Sequence, residues 1–77
     1  MTIESIRGLY ESRPFQPFTI HLADGRRVSV QHPEFLAFTP RGRTFVVAQP
    51  DGAFKIIDLM LVTELEVRAR RNGRKAA

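Results

Sequence analysis

Apolar residues occupy every second position in two runs of the first half of the chain, 18–22 and 28–30. Asp24 and Gly25 lie between these runs, and two alternating runs around Asp-Gly are a strong signal of a β-hairpin. The pattern therefore predicts a hairpin over about 17–31, around which the other elements are arranged.

The register of this hairpin follows from the rule that residues paired across two strands share one face. A three-residue loop, 23–25, places Ile20 opposite Val28 and keeps the apolar residues together, whereas a two-residue loop mixes the faces. The longer loop also puts Gly25 at the left-handed position of a type I turn with a bulge, which glycine adopts without steric cost. We therefore predict the three-residue loop.

Two further glycine-bearing turns, 40–43 and 50–52, divide the next part of the chain into short segments. Proline near the start and glycine near the end of each turn are typical of tight β-turns. The turns predict strands over 35–39, 44–49 and 53–58, which pair in chain order. The predicted pairs are Leu36 with Val47, Phe38 with Phe45, Phe45 with Ile57, Val46 with Ile56 and Ala48 with Phe54.

A short helix is predicted over 2–12, because apolar residues recur there at spacings of three and four. Arg13 precedes Pro14, and the residue before a proline is disfavoured in a helix. The helix is therefore expected to end at that point.

The segment that begins at Asp58 fits two structures. In the first structure, Asp58 caps a helix that runs to Arg71. In the second, the chain makes a single helical turn at 58–61 and then forms a closing strand. Regular alternation and β-branched residues over 62–68 favour the turn and the strand.

One apolar set on these elements forms the expected core, and a second set is left on the opposite face of the later strands. The second set is Val46, Phe54 and Ile56, which the helix or a partner chain must cover. The predicted core is Leu9, Phe18, Ile20, Val28, Val30, Leu36, Phe38, Phe45, Val47, Ile57, Leu65 and Val67.

Length and composition indicate one small globular domain. The chain has 77 residues, of which 43% are hydrophobic and 26% charged, and it contains no cysteine. A core of this size is only just sufficient, so self-association is a plausible further source of stability. The start of the chain does not resemble a signal peptide, and no apolar run reaches the length of a membrane span, so we expect a cytoplasmic protein.

Basic residues are concentrated at the end of the chain. Of the 12 basic residues, five lie in 68–75, where there is no acidic residue. The part of the chain before residue 68 contains the other seven basic residues and all eight acidic residues. This divides the chain into a nearly neutral domain, 1–68, and a basic tail, 69–77, which is suited to phosphate groups. Together with the arginines that flank two turns, the candidate nucleic-acid-binding residues are Arg26, Arg27, Arg41, Arg43, Arg68, Arg70, Arg71, Arg74 and Lys75.

Catalytic chemistry has little support in the sequence. His21 and His32 are the two histidines, and each is read as an ordinary strand or turn residue. The glycines do not form a phosphate-binding loop, because none follows a strand and opens a long helix. We predict no enzyme activity, no cofactor, no metal site and no small-molecule substrate.

Two resemblances follow from these residues. The segments PFQPFTIHLADGR at 14–26 and HPEF at 32–35 resemble a group of short uncharacterised bacterial proteins, a resemblance that implies no known activity. The layout of a helix, a strand ending in Asp-Gly and four more short strands is similar to that of Sm-like proteins. This second resemblance implies assembly through edge strands and RNA binding, but it assigns no binding residue, because no Asn-Gly or Lys-His pair lies where an Sm ring presents its RNA-binding side chains.

The sequence therefore predicts a mainly β fold: an N-terminal helix with a small, bent, five-stranded antiparallel sheet or SH3/Sm-like barrel. The alternative is an α+β fold with a C-terminal helix. The predicted function is a non-enzymatic interaction module that binds a protein partner or itself and no membrane. The alternative function is binding of nucleic acid, RNA in particular, through the basic turns and the tail.

Overall fold

One helix and six short strands make up the part of the chain that the computed structural model describes, residues 1–40 and 42–68. Two single-turn 3-10 helices, Pro33–Phe35 and Leu59–Leu61, precede the third and sixth strands. The elements are α1 (Ile3–Tyr10), β1 (Phe18–Leu22), β2 (Arg27–Val30), β3 (Leu36–Phe38), β4 (Thr44–Ala48), β5 (Phe54–Asp58) and β6 (Val62–Val67).

The strands form two antiparallel sheets with the orders β2-β1-β6 and β3-β4-β5. The predicted mainly β fold with an N-terminal helix is confirmed, but there are six strands rather than five, in two sheets. Within residues 1–40 and 42–68 no strand ladder joins the two sheets, so the strands do not close into a barrel. The chain passes from one sheet to the other at Pro33, which has no N–H to continue a ladder.

The first hairpin has the predicted three-residue loop. Ile20 lies opposite Val28, and the Leu22 amide donates to the Arg26 carbonyl oxygen at 2.9 Å. Gly25 has a φ of +92°, a left-handed conformation that L side chains rarely adopt. The predicted register is therefore confirmed at both ends of the hairpin.

The second sheet also has the predicted register. Leu36 lies opposite Val47 on one side of β4, and Ile57 lies opposite Phe45 on the other. Gly42 and Gly52 adopt positive φ in the two turns. The buried side chains of β4 and β5 consequently all point to one face of the sheet.

The segment after Asp58 forms a turn and a strand, as predicted. The Asp58 carboxylate accepts a hydrogen bond from the Met60 amide at 2.9 Å and holds the 3-10 helix Leu59–Leu61. Strand β6 then pairs with β1, with Leu65 opposite Ile20. The alternative fold with a helix beginning at Asp58 is excluded for residues up to 68.

Helix α1 ends earlier than predicted, at Tyr10 rather than at residue 12. The Ser12 amide bonds to the Leu9 carbonyl oxygen in a tighter turn that already leaves the helix. Ile6 is fully buried, and the Tyr10 ring packs edge-on against Phe38 with 5.2 Å between centroids. These contacts dock α1 on the inner side of β3.

The core lies between the two sheets and α1. Most of its predicted members are buried, but Leu9, Phe38 and Leu65 are half-buried, and Val67 is wrongly assigned because it is 38% exposed at the end of an edge strand. Three buried residues, Ile6, Leu22 and Val62, are absent from the predicted core. The buried set is Ile6, Phe18, Ile20, Leu22, Val28, Val30, Leu36, Phe45, Val47, Ile57 and Val62.

Candidate interaction surface

The outer face of the β3-β4-β5 sheet consists mainly of apolar side chains. We call this set the apolar face: Ala37, Val46, Ala48, Phe54 and Ile56, which the strand register places side by side. Phe54 is 66% exposed and Ile56 67% exposed, although both are large hydrophobic residues. Helix α1 docks on the inner side of this sheet, so it does not cover the face.

The outer face of the β2-β1-β6 sheet is polar by contrast. It carries Thr19, His21, Arg27, Ser29 and Glu66, all of them half-buried or exposed. A solvated antiparallel sheet normally has a polar outer face of this kind. The apolar face is therefore the exceptional surface, and exposed apolar patches mark interaction sites.

The backbone of β5 is anchored to β4 at both of its ends. The Gln49 amide donates to the Ala53 carbonyl oxygen at 2.7 Å, and the Leu59 amide donates to the Arg43 carbonyl oxygen at 2.8 Å. In an antiparallel ladder, hydrogen-bonded and non-hydrogen-bonded pairs alternate along the strand. Residues 53, 55, 57 and 59 of this segment therefore direct their backbone polar groups toward β4.

The other edge of β5 is open in the part of the chain that the structure describes. By the same alternation, Phe54, Ile56 and Asp58 direct their N–H and C=O groups away from β4, and β5 is the last strand of its sheet. Such an edge is a template for pairing with another strand. At Phe54 and Ile56 the outward backbone groups and the exposed apolar side chains belong to the same residues.

Lys55 is the charged residue between these two positions. It lies opposite Val47 on the inner side of the sheet, but its side chain is exposed because β5 is at the edge. The open edge therefore presents apolar groups on one side and a cation on the other. Charged residues on edge strands are one way in which proteins restrict the choice of partner strand.

The 3-10 helix Leu59–Leu61 extends the apolar surface beyond β5. Met60 is 74% exposed, and Leu61 is also exposed. Periodicity does not assign these residues to a surface, because a helical turn of three residues is too short to show an amphipathic pattern. Exposed apolar residues thus continue from β5 into the following turn.

The two turns flanked by arginines lie at the same end of the molecule. The Ala23 amide donates to the Leu61 carbonyl oxygen, and the Leu59 amide donates to the Arg43 carbonyl oxygen, each at 2.8 Å. Both turns therefore contact the 3-10 helix. The candidate binding residues Arg26 and Arg43 are placed on the same side as a result.

Each of these two arginines already has a carboxylate partner. Arg26 Nε lies 2.8 Å from Asp24 Oδ2, and Arg43 Nε lies 3.6 Å from Asp58 Oδ1. The hydrogen bonds that Asp24 accepts from the Arg26 amide and guanidinium hold the pKa of Asp24 below its ordinary value. The local charges therefore nearly cancel.

Of the other candidate residues, the structure describes Arg27 and Arg68. Arg27 is on β2, and Arg68 follows β6 with its Nε 4.0 Å from Glu66 Oε2. The remaining candidates lie outside the described residues: Arg41, Arg70, Arg71, Arg74 and Lys75.

His21 and Glu66 form a side-chain hydrogen bond across the polar face. His21 Nε2 donates to Glu66 Oε1 at 2.9 Å, which requires a proton on Nε2 because a carboxylate only accepts. This hydrogen bond lowers the pKa of Glu66, and the positive charges of Arg68 and Arg27 lower it further. The pair links β1 to β6 and is partly exposed.

A shallow cavity of about 360 Å³ lies next to this pair, with Thr19, Ser29, Glu66 and Arg68 in its wall. Its charges are of both signs, and its hydroxyl groups are ordinary strand residues of the polar face. Among residues 1–40 and 42–68, no group of three histidine, cysteine, aspartate or glutamate side chains is arranged to hold a metal ion.

The helices in the described part of the chain are too short or too polar to cross a membrane. Comparison of the chain with family models, with curated proteins and with solved structures finds no match. The resemblances to short bacterial proteins and to Sm-like proteins therefore stay predictions, and the function is inferred from the surface itself.

Proposed function

We propose that this protein is a non-enzymatic interaction module that takes up an extended strand of a protein partner, or of another copy of itself, at the open edge of β5. One observation carries the proposal: Phe54 and Ile56 combine outward-facing backbone groups with exposed apolar side chains. Strand addition uses both kinds of group, since main-chain hydrogen bonds give affinity and alternate side chains give specificity.

The apolar contribution is large enough to matter. An aromatic residue presents about 200 Å² of surface, so burial of the exposed two thirds of Phe54 removes about 130 Å² from water. At about 25 cal/mol per Å² this corresponds to about 3 kcal/mol, before the cost of association is subtracted. Ile56 adds a similar area, so the two side chains offset part of that cost.

A synthetic peptide of alternating valine and glutamate residues provides a direct test with the ¹⁵N-labelled protein. We expect the peptide to shift the amide resonances of Phe54 and Ile56. The variant Ile56→Pro removes an outward N–H without loss of a bond to β4, and it is expected to abolish the shifts.

The matched control is Ser29→Pro, which removes an outward N–H from β2, one of the two edge strands of the other sheet. This variant is expected to bind the peptide as the wild type does. If the peptide shifts no β5 amide, or if Ile56→Pro binds as well as Ser29→Pro, β5 is not the receiving edge.

Nucleic-acid binding is a second candidate function. The observation that favours it is the location of Arg26 and Arg43 at one end of the molecule, on turns that both contact Leu59–Leu61. The carboxylates of Asp24 and Asp58 beside them reduce the local positive field. Binding through this end therefore depends on further cations, for which the tail at 69–77 is the candidate segment.

A further inference from the structure

We propose that the strand received by β5 is β6 of a second copy of this chain, paired antiparallel in a head-to-tail contact. This inference rests on the proposed function, because it names the partner of the same edge. It is carried by complementarity between two open edges of the molecule, in hydrogen-bond pattern, in apolar side chains and in charge.

The free edge of β6 presents the backbone of Leu65 and Val67. The Leu22 amide donates to the carbonyl oxygen of Arg26, just before β2, so alternate residues of β1, Thr19 and His21, direct their backbone groups toward β6. Their partners in β6 are Glu66 and Glu64. The backbone groups of Leu65 and Val67 consequently face away from β1.

These two residues are also apolar and incompletely buried. Leu65 is half-buried, and Val67 is exposed at the end of the strand. Glu64 and Glu66 occupy the alternate positions and lie on the polar outer face. The edge of β6 thus has apolar residues on the side of the core and carboxylates on the opposite side.

The edge of β5 has the reverse arrangement, with Phe54 and Ile56 on the outer side and Lys55 on the inner side. When β5 pairs with β6 of a second copy, the residues of β5 whose backbone groups face outward lie opposite the residues of β6 whose backbone groups face outward. The pairs are Phe54 with Val67 of the second copy, Lys55 with Glu66 of the second copy and Ile56 with Leu65 of the second copy.

This register uses the regular part of β6. The β1–β6 ladder is irregular between the pair His21–Glu64 and the pair Leu22–Val62, so registers that pair β5 with the first residues of β6 meet that irregularity. A shift by two residues in the other direction places Lys55 opposite Arg68 of the second copy. Like charges directly opposite each other are destabilising, so this register is disfavoured.

The pairing also covers the apolar face. Because the outer side of β5 meets the core side of β6, the body of the second copy lies over Phe54 and Ile56. A two-fold pairing of β5 with β5 lacks this property: centred on Ile56, it leaves both apolar faces on the same uncovered side and places Lys55 opposite Ile57. The structure therefore favours the head-to-tail contact, which forms closed rings or open chains.

Sedimentation equilibrium of the intact protein tests the inference through charge reversal. We expect the wild type to self-associate, and we expect Lys55→Glu and Glu66→Lys each to raise the dissociation constant by about tenfold or more. An equimolar mixture of the two variants is expected to restore association. When copies of the two variants alternate in the assembly, the introduced glutamate lies opposite the introduced lysine at every second contact.

The control is Glu34→Lys, a charge reversal on the exposed 3-10 helix Pro33–Phe35, which is expected to associate as the wild type does. If the mixture associates no better than either variant alone, the Lys55–Glu66 contact is absent and the inference is overturned. A folded wild type that stays monomeric at every concentration also overturns it. The valine-glutamate peptide then separates the outcomes: binding at β5 keeps the proposed function, and absence of binding removes both.

Discussion

Two phenylalanines on neighbouring strands separate the role of the core from that of the apolar face. Phe45 on β4 is fully buried between the sheets, whereas Phe54 on β5 is two-thirds exposed. Truncation of a fully buried phenylalanine to alanine costs about 3–5 kcal/mol, because apolar contacts are lost and a cavity is left. A domain of 77 residues has a total stability of about 4–12 kcal/mol, so Phe45→Ala removes much of it.

Urea denaturation followed by circular dichroism at low protein concentration measures the difference. With a slope of about 1–3 kcal/mol per molar urea, Phe45→Ala is expected to lower the midpoint by about 1 M or more, or to prevent folding. Phe54→Ala makes the same chemical change on the surface and is expected to change stability by about 0.5 kcal/mol or less. Equal midpoints for the two variants would show that the assignment of core and surface is wrong.

Three further predictions concern charge and backbone conformation. The folded-state pKa of Glu66 is lowered, so its hydrogen bond with His21 stabilises the fold above the unfolded pKa of about 4.3. This stabilisation is lost as the pH falls through the folded pKa. Glu66→Gln should therefore weaken the acid dependence of the urea midpoint. Gly25→Ala is expected to cost about 1–2 kcal/mol in the same assay, because Gly25 has a φ of +92° in otherwise open space, whereas Gly8→Ala in α1 should not destabilise the protein. If the protein binds single-stranded RNA, the affinity falls with salt at a slope of about −0.7 per neutralised phosphate, and deletion of 69–77 should flatten that slope; absence of binding at low salt removes this candidate.

The strand registers were predictable because each depends on local information. Alternation fixes which residues share a face, and a glycine such as Gly25 fixes the length of the loop between two strands. The same alternation places Phe54 and Ile56 on a second apolar face. Their exposure, however, depends on where α1 docks, and the contact of Tyr10 with Phe38 is not encoded in the spacing of apolar residues.

The division into two sheets was not predictable from periodicity. The pattern around Pro33 indicates a turn, but it does not show which sheet the next strand joins. The pairing of β1 with β6 brings distant parts of the chain together and makes β6 an edge. Alternation correctly places Val67 on the core side of its strand. It does not show that this strand lies at an edge, and the prediction of Val67 as a core residue is therefore wrong. The complementarity of the two edges likewise appears only once both are known.

Residue-resolved amide hydrogen exchange, measured at low and at high protein concentration, tests the central claim most directly. The amides of Lys55 and Ile57 face β4 and are expected to be protected at both concentrations. The amides of Phe54 and Ile56 face outward, so the proposed contact predicts rapid exchange in the dilute protein and protection in the concentrated protein. Exchange at Phe54 and Ile56 that stays rapid at every concentration, while the protein sediments as an assembly, would show that the copies associate through another surface.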